Sequence, residues 1–285
     1  MSRNKLISKV ALIVLTIVAL VLIYAPVAWL FISSIATRSD LLTIPLRWIP
    51  EHATLQNYID ILVPGTPTSD VAATFKVTLL NSIIVASTTT LICLVAGSLA
   101  AYALSRLQIP FRQFMLIGVM ATRMIPEISL VIPLYILASR AGLMDHRSIL
   151  IATYLSFALP FAIWMLAAFF ETIPYELEDA ALMDGASRLG ILFRIVLPVS
   201  APGIVSTALF TFLLSWDEFF FALIFTSTLA SKTVPVAIAE FTGRYAVDIT
   251  AMMTGGVIAA LPPVILSLIF QRYIVSGLTT GAVKG

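Results

Sequence analysis

Four stretches of this chain carry no Asp, Glu, Lys or Arg over a length sufficient to cross a bilayer: Val10–Thr37, Val77–Ser105, Ser148–Phe170 and Ile249–Gln271. A hydrocarbon core is about 30 Å thick and a helix rises about 1.5 Å per residue, so roughly 20 apolar residues suffice. The runs are continuously apolar and do not alternate, which selects helices over a β-barrel. Two more apolar runs are interrupted, one by Arg123 and Glu127, the other by Asp217 and Glu218. The expected fold is an all-α membrane protein of six transmembrane helices, a single domain over residues 1–285. The spans are placed near 10–33, 77–103, 113–138, 148–170, 203–226 and 250–271.

Composition agrees: 60% of residues are hydrophobic, 11% are charged, and the mean hydropathy is +1.03. A soluble domain is nearer one quarter charged. A net charge of +2 is too small to point to a nucleic-acid partner. The single cysteine, Cys93, lies in an apolar run and reads as a small buried hydrophobe. His52 and His146 fall in separate polar connections, so no metal site is expected. Arg3, Lys5 and Lys9 precede the first run as in a signal peptide, but that run outlasts an h-region, and a retained first helix is the expectation.

With the N-terminus inside, nine basic residues fall on the cytoplasmic side (Arg3, Lys5, Lys9, Arg106, Arg112, Arg188, Arg194, Arg272 and Lys284) and seven outside (Arg38, Arg47, Lys76, Arg140, Arg147, Lys232 and Arg244). The three before the first helix set the orientation, and an even number of spans returns the C-terminus to the cytoplasm. The first outside connection is broken by Pro45, Pro50, Pro64 and Pro67, with a brief helix expected over Thr54–Leu62. It reads either as a surface loop or as a landing surface for an outside partner.

Several features inside the spans admit two readings. Small residues in Gly97–Arg106 suit close helix packing. Arg123 and Glu127 are four apart, so a continuous helix places them on one face, as a structural pair or as lining of a water-filled path. Trp216 beside Asp217 and Glu218 suits either the hydroxyls and ring faces of a sugar or an interfacial aromatic belt. Gly255–Gly256 and Pro262–Pro263 read as a packing contact and a kink.

The one long charged, amphipathic segment is the loop 174–198. Pro174 suits a first helical turn, and Glu176, Glu178 and Asp179 complement its positive end. Asp184–Gly185 signals a turn, and Ser187 can cap a second short helix that runs to Leu197 before Pro198. A helix–turn–helix is expected, either an interfacial connection or a docking element.

Asp179–Ala180–Ala181, Gly185, Ile195, Leu197 and Pro198 resemble the EAA loop of ABC importer permeases, with every spacing kept and Asp179 standing where the family has Glu. NSIIVAST (Asn81–Thr88), AAYALSR, IPLYILASRAGL, WDEFFFAL and GLTTGAVKG are similar to the carbohydrate-uptake, MalG-like branch, so the resemblance covers essentially the whole chain. It implies the MetI/MalG-like permease fold and a subunit of an importer for a di- or oligosaccharide of trehalose or maltose type, with a polyol or glycerol-phosphate solute as the alternative. It implies as partners a MalF-like second permease, two copies of an ABC ATPase, an extracytoplasmic sugar-binding protein and the lipid bilayer. The C-terminal tail would reach toward the ATPase dimer interface. The resemblance assigns ATPase coupling to Glu178, Asp179, Ala180, Ala181, Asp184, Gly185, Ile195, Leu197 and Pro198. Asn81, Arg123, Glu127, Trp216, Asp217, Glu218 and Phe220 form the candidate translocation pathway. No G-x-x-x-x-G-K-[ST] loop is present, so ATP and Mg would be used by the separate ATPase and no cofactor bound by this chain. An intramembrane enzyme would need paired aspartates, a Ser/His pair or H-E-x-x-H, none of which the sequence carries; an ATP-independent channel would not need the docking loop.

Overall fold

The structure is a computed structural model that describes residues 3–63, 70–242 and 248–282, with side chains over 8–63, 75–242 and 248–273. Pro64, Pro67, Arg244 and Lys284 lie outside the described residues, as do the side chains of Arg3 and Lys5. The helices are α1 (Arg3–Ser34), α2 (Arg38–Leu41), α3 (Gln56–Leu62), α4 (Asp70–Arg106), α5 (Arg112–Ala121), α6 (Glu127–Arg140), α7 (Arg147–Phe170), α8 (Tyr175–Met183), α9 (Arg188–Ile191), α10 (Leu197–Val199), α11 (Ala201–Trp216), α12 (Phe220–Phe225), α13 (Val234–Glu240) and α14 (Ile249–Ala282). No strand occurs among the described residues.

Four stretches are long and apolar enough to cross a membrane: Ser8–Ser34, Phe75–Arg106, Arg147–Phe170 and Ile249–Tyr273. These are the four charge-free runs. The two interrupted runs are not continuous helices. Arg112–Met124 and Glu127–Arg140 meet at 86°. Ile125 is extended, as a residue before proline prefers, and Pro126 caps α6 from outside it. Likewise α11 stops at Trp216, and Asp217, Glu218 and Phe219 separate it from α12. The Glu218 carboxylate explains the break, because it accepts the N–H groups of Phe221 (2.7 Å) and Ala222 (3.2 Å) at the start of α12. Upstream, Arg188–Val199 meets α11 at 81°.

The chain divides into two compact units. The first comprises Met1–Lys76 and Ala237–Leu261. Over most of its length α1 is apolar and exposed, as a lipid-facing helix is. Its buried end holds the connection that follows it: Asn57 Nδ2 donates to Ser34 O and Ala36 O at 2.9 Å each, and Thr254 Oγ1 donates to Ser34 O at 3.2 Å. The brief helix expected over Thr54–Leu62 is α3, and Thr54 Oγ1 accepts from Gln56 N at 3.1 Å.

The second unit comprises Val77–Val236 and Pro262–Gly285 and is organised along α7. One apolar cluster gathers Ile149, Leu150 and Tyr154 from the start of α7 with Val85, Phe221 and Phe225. Another gathers Leu166, Ala167 and Phe170 from its end with Ala101, Tyr102, Ile191, Leu192 and Val196. Between them Cys93 packs with Ala158 and Ala162. Beyond the first cluster, Asp145 clamps the segment after α12, accepting from Ser227 N and Thr228 N at 2.9 Å and from the Ser231 hydroxyl. Partial desolvation acts to raise its pKa, but hydrogen bonds from Ser231, Thr228 and Ser227 outweigh it and hold the carboxyl well below the usual range.

The end of α7 meets the start of α11 at a glycine. A Cβ on Gly203 would lie 2.3 Å from Phe169 Cγ. Gly203→Leu is therefore expected to destabilise the purified protein by about 1–3 kcal/mol through overpacking. An unchanged thermal unfolding curve would show that Phe169 moves aside freely.

Candidate functional site

The helix–turn–helix forms where the sequence places it. Helix α8 begins after Pro174, which sits at the cap and not in the first turn, and carries Glu176 and Glu178 at its positive end. It ends in a Schellman pattern: Gly185 N donates to Leu182 O (3.0 Å) and Ala186 N to Ala181 O (2.9 Å). Gly185 takes φ +81°, which a side chain disfavours, although a Cβ there would meet nothing within 4 Å. Ser187 Oγ then accepts from Gly190 N at 3.1 Å, capping α9 as expected. The second helix runs past Leu197 to Val199, with a π turn over Leu192–Val196, so Pro198 lies within it and not beyond it.

The two sides of this element do different work. Ala181, Leu182, Ile195 and Leu197 pack against the cluster at the ends of α4 and α7. Leu177, Asp179, Ala180, Met183, Asp184, Gly185 and Pro198 are exposed. Glu178 was expected among the contact residues but is only 2% exposed. Its carboxylate is ion-paired with Arg106 Nε, at the end of α4, and accepts from the Tyr102 hydroxyl at 3.0 Å. Arg188 Nη1 lies 4.0 Å away. Arg106 also donates through Nη1 to Ile173 O at 2.9 Å and stacks on the Tyr175 ring at 3.7 Å. One guanidinium thus ties the last turn of α4 to the α7–α8 connection and to α8. Glu178 is a positioning residue within the chain.

A second site lies at the two helix breaks. Arg123, Glu127, Asp217, Glu218 and Phe220 line one cavity of about 470 Å³, together with Phe157, Phe210 and Phe219. Five of the seven expected pathway residues are thus brought together. Arg123 and Glu127 do not share a helix face, because the Pro126 break separates them, and no ion pair joins them among the described residues. The Arg123 guanidinium lies 5.4 Å from the Phe161 ring centroid.

Trp216 and Asn81 stand apart from this cavity. Trp216 is 3% exposed and stacked on Phe212 at 5.5 Å, four residues earlier on α11, and it does not line this cavity. Asn81 is fully buried and donates through Nδ2 to Leu229 O and Lys232 O at 2.9 Å each, which makes it an anchor for the segment after α12. The sequence signal for these assignments is weak, since the partners of Asn81 lie some 150 residues away. Elsewhere, Asp40, Glu51 and His52 bring ligand atoms within 4.8 Å of one another, although no metal site was expected there; Glu51 is ion-paired with Arg47.

The Arg106–Glu178 pair yields a double-mutant cycle. Glu178→Met strands a buried guanidinium and is expected to cost about 3–5 kcal/mol, whereas Arg106→Met with Glu178→Met removes both charges and costs much less. Denaturant or thermal unfolding in detergent reads the difference. Equal losses in the single and double variants would show that the pair does not hold α8 in place.

Residues 93–280 match the family described as "Binding-protein-dependent transport system inner membrane component". The chain is 39% identical to the trehalose/maltose transport system permease protein MalG of Thermococcus litoralis over 99% of both chains. It is 40% identical to the trehalose transport system permease protein SugB of Mycobacterium tuberculosis over 91% of this chain and 92% of that one. A chain of a bacterial ABC transporter involved in import of the acidic polysaccharide alginate superposes with a TM-score of 0.75 at 22% identity, covering 96% of this chain and 98% of the other. The chain belongs to the binding-protein-dependent transport system inner membrane components: it is a multi-pass permease subunit of an ABC importer, a transport component and not an enzyme.

Proposed function

We propose that this subunit serves the uptake of an uncharged di- or oligosaccharide of trehalose or maltose type. It would act as a single transmembrane permease domain beside a MalF-like second permease, two copies of an ABC ATPase and an extracytoplasmic sugar-binding protein. ATP and Mg are used by the ATPase, and this chain binds neither. The observation that carries the reading is the helix–turn–helix 175–199, exposed on the Asp179–Gly185 side and keyed to α4 on the other by the Arg106–Glu178 pair. An ATPase that moves the exposed side moves the ends of α4 and α7 with it. The 81° bend at Ser200 passes the same motion to α11. The exposed coupling contacts are then Asp179, Ala180, Asp184, Gly185 and Pro198. Glu178, Ala181, Ile195 and Leu197 hold the element in place. The basic residues at the start of α1, ahead of its apolar run, support a cytoplasmic N-terminus, which puts this loop and the C-terminus on the ATPase side.

The recess at the helix breaks supports the carbohydrate part. Carboxylates of Glu127 and Asp217 can accept hydroxyl hydrogen bonds, and Phe157, Phe210, Phe219 and Phe220 offer apolar faces to a sugar ring. Three carboxylates face one guanidinium there, which disfavours a glycerol-phosphate or other anionic solute. The MalG and SugB relatives, named for trehalose/maltose and trehalose transport, support the same class.

The test is to reconstitute the chain with its co-purifying partners and measure ATP hydrolysis against a panel of binding proteins loaded with neutral or anionic sugars. Stimulation by a neutral disaccharide is expected, and stimulation by anionic solutes alone overturns the substrate class. In the same system Gly185→Asp is expected to insert and assemble, since Asp tolerates positive φ better than most residues, yet to abolish uptake. Normal uptake by that variant overturns the coupling assignment.

A further inference from the structure

A cavity of about 740 Å³ opens at the end of α4, beside the exposed side of α8. It is lined by Arg106, Arg112, Arg188, Tyr175, Glu178 and Asp179, together with the Leu107–Pro110 connection. Three guanidinium groups face two carboxylates. Glu178 is already engaged by Arg106 and Tyr102, and Arg188 reaches it only at 4.0 Å. Arg112 has one nitrogen on Ser105 O at 3.2 Å. Most telling is Arg106, which is 5% exposed and whose Nη2 is buried without a hydrogen-bond partner. An unmet cationic donor is costly and adds to the positive character of the recess that Arg112 and Arg188 line at the surface.

The surroundings identify the kind of acceptor. Arg106 is the last residue of an apolar stretch long enough to cross a membrane, and Arg is common where such stretches leave the hydrocarbon. Immediately beside it, Phe111, Phe114 and Ile117 are 78%, 73% and 63% exposed on α5 and its cap. An anion-binding recess with an exposed apolar strip next to it matches a phospholipid, its phosphate among the arginines and its acyl chains along α5. We infer that this cavity holds the phosphate of an anionic phospholipid. The bound lipid joins Arg112, Arg188 and Arg106 and so braces the junction of α4 and α8.

The inference does not depend on the transported solute, and its readout is bound lipid. The intact complex is placed in nanodiscs of phosphatidylcholine with phosphatidylglycerol, as wild type and as Arg112→Gln/Arg188→Gln. Both side chains are exposed, so the fold should persist; thermal unfolding checks this, and single Arg112→Gln serves if the double variant fails. Native mass spectrometry then measures retained lipid. Wild type is expected to prefer phosphatidylglycerol, and the double variant to lose that preference roughly tenfold. Phe114→Asp is expected to lower lipid retention and leave inorganic phosphate binding unchanged. Equal retention by wild type and the arginine variant overturns the proposal. Inorganic phosphate binding with no preference for phosphatidylglycerol makes this a free-anion site and overturns the lipid assignment. A photoreactive residue at Gln108 that labels the ATPase and not lipid overturns it in favour of an acidic partner side chain.

Discussion

The ion pair between Arg106 and Glu178 is the constraint on which the rest of the functional geometry depends. Without it, α8 would rest on the chain through the apolar contacts of Ala181, Leu182 and Ala186 and through two tyrosine hydroxyls, Tyr102 on Glu178 and Tyr175 on Ser105 O. A charge pair removed from water gives little net stability, because desolvation offsets most of its attraction. It does impose a geometry, since neither charge tolerates the loss of the other. Arg106 adds direction through its planar fork, which also reaches Ile173 O, and through its stacking on Tyr175. Helix α8 is thereby joined to a span and not suspended from a loop.

Much of this element was legible in the sequence. Gly185 after a short acidic helix, Ser187 at a cap and the I-x-L-P spacing are local signals, and local hydrogen bonds satisfy them. The direction of Glu178 was not legible. Read by spacing alone it belongs with its acidic neighbours, and only a partner 72 residues away turns it inward. The same holds for Asn81, whose amide serves carbonyls 148 and 151 residues distant. The burial of Trp216 was not legible either, because its polar neighbours in sequence say nothing of the rings beside it in space. A ring four residues from Phe212 on one helix stacks on it instead.

The four charge-free runs became long helices, because continuous apolar surface leaves the backbone no alternative in lipid. The interrupted runs broke at their charged residues. Pro126 and the Glu218 carboxylate each begin a new helix, and the side chains that interrupt the apolar pattern converge on one recess. The charges that weakened the helix prediction therefore mark the polar cavity. The helix–turn–helix packs against the end of α7, the recess is lined by Phe157 from its middle, and α7 and α11 run between the two.

With Arg106 paired to Glu178, the helix–turn–helix and the end of α4 are expected to move as one body. Spin labels at Met183 and Gln108, both exposed, report on this directly in the reconstituted complex. The separation between them is predicted to be the same with the ATPase nucleotide-free and ATP-bound, while the distance from either label to the ATPase changes. A shift in the Met183–Gln108 separation on ATP binding would contradict the account, because α8 would then be sliding against α4 and not carrying it.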